Sequence, residues 1–74
     1  MATIHRIGAI KISMYANEHN PPHVHVNSPD FAVVLDIQTG EVIKGQVRAG
    51  QIREAVAWVI GHRDMLLDLW SGRM

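Results

Sequence analysis

Cysteine is absent from this 74-residue chain, which excludes both a disulfide framework and a thiolate metal site. Aromatic residues are few: one tyrosine, one phenylalanine and two tryptophans, too few to form a platform on which bases stack. There is no excess charge of either sign, because seven basic and seven acidic side chains cancel. A broad basic footprint for nucleic acid is therefore excluded, and any such patch has to be local. No apolar run approaches the roughly 20 residues a membrane helix needs, and the first residues lack the basic-then-apolar pattern of a secretion signal. The expectation is a cytoplasmic protein without membrane contact. Small size is a further lack, since a chain near this length buries only about 60% of the surface its unfolded form exposes. A partner protein or a second copy is the expected source of the missing stability.

Hydrophobic residues nevertheless make up 47% of the chain, and their arrangement excludes disorder. Between Ile4 and Tyr15, Ile10, Ile12 and Met14 alternate with Lys11, Ser13 and Tyr15. That period of two predicts a half-buried strand with a bulge at Gly8. Residues 16–22 form a loop, His23 to Asn27 a short strand, and Phe31 to Ile37 the strongest strand signal. Ser28-Pro29-Asp30 and Gln38-Thr39-Gly40 supply turn chemistry, so Glu41 to Val47 is expected to pair back as a fourth strand. From Ala49 onward Ile52, Val56, Val59, Arg63, Leu66 and Trp70 recur at helical spacing, with Ala55, Ile60 and Leu67 widening the stripe. One amphipathic helix, or two separated near Gly61, satisfies that pattern, and Gly72 is a natural stop. The predicted fold is α+β: one domain over residues 1–74, an antiparallel sheet of about four strands, and a long C-terminal helix on one face.

Chemistry concentrates in His19-Asn20-Pro21-Pro22-His23-Val24-His25, which holds three of the five histidines. The prolines predict a stiff, extended approach, and the two-residue spacing puts His23 and His25 on one face of a strand. If Ile10, Ile12, Met14, Val24, Val26, Phe31, Val33 and Leu35 face the helix, the opposite face collects Lys11, Ser13, Tyr15, His23, His25, Val34 and Asp36. Imidazoles there suit proton transfer, since each nitrogen donates or accepts near neutral pH. The candidate catalytic residues are His19, His23, His25, Tyr15, Lys11 and Asp36, the last orienting a histidine through its Nδ1–H. His19, His23 and His25 are equally a candidate ligand set for a divalent metal such as zinc. A solvated face or a protein-binding surface accounts for the same residues without catalysis. His5 is expected to belong to an exposed N-terminal end, and His62 to the helix surface. Trp58 and Trp70, about 120° apart on one helix by its geometry, divide between core and interface.

These residues resemble the signature of a widespread bacterial family, the domain of unknown function 4160. The matching blocks are Met14-Tyr15, His19-Asn20-Pro21-Pro22-His23-Val24-His25-Val26 and Asp36-Ile37-Gln38-Thr39-Gly40-Glu41, followed by Trp58, His62, Leu66 and Trp70 in the helical part. Glu18 stands where many members carry aspartate, which keeps the charge. The resemblance implies a small cytosolic protein paired with another short protein, in an arrangement similar to toxin–antitoxin modules. By that analogy the chain is a toxin-like component, a metal-independent endoribonuclease held in check by its neighbour. His23 or His25 would take the ribose 2′-OH proton and another histidine would protonate the leaving oxygen. Lys11, aided by Arg6 or Arg48, would offset phosphoryl charge.

Overall fold

The alternation from Ile4 to Tyr15 is interrupted by Gly8-Ala9. In the computed structural model, which describes residues 2–15 and 18–72, the chain reverses there. Gly8 has φ 57°, the left-handed conformation that a two-residue hairpin loop demands and that glycine adopts without steric cost. The expected single strand is therefore two, β1 (Ala2–Ile7) and β2 (Ile10–Met14). With β3 (His23–Asn27), β4 (Ala32–Asp36) and β5 (Val42–Lys44) they form an antiparallel sheet in the order β1-β2-β3-β4-β5. Among the described residues five strands replace the expected four, because a glycine read as a bulge is a turn. The bulge lies instead at Ile4, between the pairs Thr3↔Ser13 and His5↔Ile12. Paired residues share a face, so the extra residue moves His5 to the side of Ile12.

The Asp36–Glu41 turn is built from the side chains that end β4. Asp36 Oδ1 accepts hydrogen bonds from the backbone N–H groups of Gln38 (2.7 Å) and Thr39 (3.1 Å), and Gly40 N–H donates to the Asp36 carbonyl (2.8 Å). Gly40 has φ 76° and is buried under Ile60. β5 is shorter than the expected strand. A second register shift falls between Val34 and Leu35, and at Gly45 (φ 92°) the chain approaches β4 so closely that a Cβ would lie 2.6 Å from the Ala32 carbonyl oxygen.

Two helices cover one face of the sheet, α1 (Ala49–Gly61) and α2 (Arg63–Gly72). The break falls at His62, whose φ of −118° and ψ of 25° leave the helical range. Its imidazole Nδ1–H donates at 2.8 Å to the Trp58 carbonyl, an oxygen that also accepts the His62 backbone N–H at 3.0 Å. Ile52, Ala55, Val59, Leu66 and Trp70 from the helices close over Ile12, Met14, Val24, Val26, Val33, Leu35 and Ile37 from the sheet side. Both alternation and helical spacing thus predicted the core. Arg63 and Ile60 are exposed, although the stripe included them. Among the described residues no helix is long and apolar enough to cross a membrane.

Candidate functional site

Strand register decides which polar residues meet on the face away from the helices. The pairs Ser13↔His25, His25↔Val34 and Val34↔Lys44 form one row across β2, β3, β4 and β5, and His23↔Asp36 lies beside it. His23 and His25 therefore share a face as their spacing predicted, with ring centroids 5.4 Å apart. Their approach is bent rather than extended: Asn20 and Pro21 occupy a bend, and the Asn20–Pro21 peptide is cis.

Both imidazoles converge on Glu18. Its Oε1 lies 2.5 Å from His25 Nε2 and 3.1 Å from His23 Nε2. His23 is fixed from two further directions, by the Pro21 carbonyl 2.8 Å from Nδ1 and by the Trp70 ring at 5.0 Å. A carbonyl oxygen only accepts, so Nδ1 of His23 carries a proton and Nε2 is the nitrogen that faces the carboxylate. The Tyr15 ring meets His25 edge-on at 4.5 Å. Partial burial works to raise the Glu18 pKa, but the hydrogen bonds from His25 and His23, and their charge, outweigh it. The carboxyl is held below its ordinary value of 4.5.

A shallow cleft of about 320 Å³ opens over this cluster, lined by Glu18, His19, Asn20, Pro21, His23, His25, Val34, Ile43 and Lys44. A second cleft continues along the sheet toward Gly45 and shares His25, Val34 and Lys44 with the first.

The sequence-predicted residues divide accordingly. His23, His25 and Tyr15 come together, and His19 is exposed at the rim. Asp36 does not orient a histidine; its Oδ1 holds the turn, and the acceptor facing the rings is Glu18. Lys11 pairs with Asn27 and Arg6 with Lys11, and neither they nor Arg48 lines the cleft. The lysine that does is Lys44. Glu18, His23 and His25 offer one ligand atom each within 4.8 Å of one another, so the carboxylate, and not His19, completes a metal-capable set. The sequence held part of that signal, since an acidic residue at position 18 agrees with the family signature. Nothing in the sequence singled out Lys44, which reaches the site only through pairing of β5 with β4. His5, expected at an exposed end, is half-buried and stacked on Trp58 at 4.4 Å, while His62 stacks on the same indole at 4.3 Å.

The family described as a domain of unknown function (DUF4160) matches residues 9–71 of the 74-residue chain. No curated protein and no solved structure matches it.

Proposed function

The chain belongs to the DUF4160 family, and from that premise we propose that it is the RNA-cleaving member of a cytoplasmic toxin–antitoxin-like pair. The observation that carries this reading is a carboxylate bonded to two imidazoles at the floor of an open cleft with a lysine on its rim. Such a cluster keeps a proton acceptor and proton donors within reach of one bound group, which cleavage by an internal nucleophile requires. Relative exposure of the side chains, 24% for His25 against 11% for His23, supports a division of roles between them. Glu18 accepts the proton of a ribose 2′-OH as that oxygen bonds to phosphorus. His25 gives its Nε2 proton to the departing 5′-oxygen, leaving a 2′,3′-cyclic phosphate and a free 5′-hydroxyl. His23, clamped by Pro21 and Trp70, positions Glu18, and Tyr15 braces His25. The Lys44 ammonium offsets charge on the phosphoryl oxygens. The two clefts that share His25, Val34 and Lys44 form a track suited to an extended strand.

The test is RNA cleavage in the presence of a chelator, together with growth after induced expression. Cleavage to cyclic-phosphate ends, abolished by His25→Ala and by Glu18→Gln with an unchanged circular dichroism spectrum, is the expected result. Induction that produces neither growth arrest nor RNA cleavage rejects the reading.

A second reading, a non-catalytic binding module, draws on a different observation. Val42 and Ile43 at the β5 edge, and Ile60, Met65 and Leu69 on the helices, are large apolar residues left exposed. They suit a cognate small protein or a second copy of the chain. Light scattering checks this: a strict monomer that also fails to bind the neighbouring gene product removes it.

A further inference from the structure

We propose that Glu18, His23 and His25 bind one divalent transition-metal ion of the zinc class, in place of the protons that the two rings direct at the carboxylate. The inference stands on the geometry of these side chains and does not depend on RNA cleavage.

Two imidazole nitrogens and one carboxylate oxygen lie within 4.8 Å of one another. An ion with bonds of about 2.0–2.1 Å to such atoms keeps neighbouring ligands roughly 3.3 Å apart when tetrahedral. The 3.1 Å between His23 Nε2 and Glu18 Oε1 already approaches this spacing. The 2.5 Å between His25 Nε2 and Glu18 Oε1 has to widen. Glu18 lies outside the strands, and its side chain is 29% exposed, so a small carboxylate rotation supplies that movement without disturbing the sheet.

The surroundings of His23 match those of a ligating histidine. Its Nδ1–H is held by the Pro21 carbonyl at 2.8 Å, which presents Nε2 to the shared point. That outer hydrogen bond is the means by which metal-binding imidazoles are oriented. The hydrogen bonding also shows what an ion would relieve. With Nδ1 committed as a donor, Nε2 of a neutral His23 bears a lone pair, and a lone pair 3.1 Å from a carboxylate oxygen repels it. Either a second proton or a metal ion must lie between them.

Ligand type selects the ion. Two imidazoles with one carboxylate suit zinc, cobalt and iron and are poorly matched to magnesium or calcium, which take oxygen ligands. Three protein ligands leave a fourth position to water, and the open cleft above gives access. An ion seated there occupies both the acceptor and the donor used by the proposed acid–base chemistry, so zinc would inhibit that reaction rather than drive it.

The experiment uses the full chain, without a histidine tag, stripped with chelator and titrated separately with Zn2+ by calorimetry and Co2+ by visible absorption. One equivalent of each binds, with cobalt d–d bands appearing in step, and Trp70 beside His23 makes tryptophan fluorescence a second signal. Glu18→Gln and His25→Ala each weaken binding at least as much as the roughly 10–100-fold that follows loss of an outer-shell partner. Should His23→Ala misfold through loss of its contact with Trp70, Glu18→Gln still decides the matter, since it preserves shape at a partly exposed position. No saturable binding at millimolar ion overturns the proposal. Affinity equal to the parent's in both Glu18→Gln and His25→Ala also overturns it, as does loss in His19→Ala with retention in Glu18→Gln. The RNA assay in chelator is unaffected by any of these outcomes, so failure of one proposal does not disguise failure of the other.

Discussion

Replacing Ser13 by alanine should make this protein more stable, and the sheet register shows why. Ser13 stands between Thr3 and His25 in the ladder and has no exposed surface. Its Oγ has no hydrogen-bond partner among the described residues. A buried hydroxyl that leaves its water partners without replacement costs about 1–3 kcal/mol. Deleting the oxygen also forfeits a few dispersion contacts of about 0.1–0.2 kcal/mol each. The first effect wins, so Ser13→Ala stabilises by about 1 kcal/mol. For a domain of this size that raises Tm by roughly 4–8 °C. With m near 1 kcal/mol per molar urea, the lower end for small proteins, the urea midpoint moves up by about 1 M. Tryptophan fluorescence follows the transition, with exposed Thr3→Ala as a control expected to stay within about 0.5 kcal/mol. A Ser13→Ala midpoint equal to or below that of the parent refutes the reasoning, because it means the hydroxyl has a stabilising partner.

Three more outcomes follow from particular contacts. Gly45→Ala combines φ 92° with a Cβ 2.6 Å from the Ala32 carbonyl oxygen; it should lose at least about 1–3 kcal/mol in urea denaturation, and a neutral result would mean that β5 leaves the sheet at little cost. His5→Ala removes one of the two rings flanking Trp58 and should cost about 0.5–1.5 kcal/mol while shifting indole emission; unchanged emission and stability would show that the stack does not persist in solution. The Glu18 carboxyl, faced by His23 and His25 with His19 and Lys44 around the same cleft, titrates below 4.5 in the folded chain. Its contribution to stability is complete above that pH and is lost as pH falls through the lower folded value. The fall in urea midpoint below pH 4.5 should therefore be shallower in Glu18→Gln than in the parent, and parallel acid limbs would contradict the assigned direction.

Much of the architecture is legible in one dimension because it depends on local periodicity. Alternation at Ile10, Ile12 and Met14, and at Val24 and Val26, identifies strands and their buried faces, since side chains in a strand change sides at every residue. Helical spacing identifies Ile52, Val59, Leu66 and Trp70 as core, and all four are buried. Two-residue spacing places His23 and His25 together on the opposite face. The errors concern punctuation. Gly8 serves a turn as readily as a bulge, since both use a positive φ, and only the pairing of Ile7 with Ile10 distinguishes them. Asp36 has two uses, turn cap and histidine partner, and the closer backbone N–H groups of Gln38 and Thr39 take its carboxylate.

By itself, then, the sequence determined the α+β class, the buried stripes and the histidine-bearing face, because each follows from which way neighbouring residues point along a regular backbone. Tertiary structure alone decided that Glu18 reaches both imidazoles, that Trp70 backs His23, that Lys44 joins the cleft and that His5 stacks on Trp58. Each of those contacts crosses between elements, and it is set by loop closure and strand register rather than by any preference local to the chain. A bulge of one residue at Ile4 suffices to turn His5 from solvent to the helix face, and no property of residues 2–7 taken alone announces it.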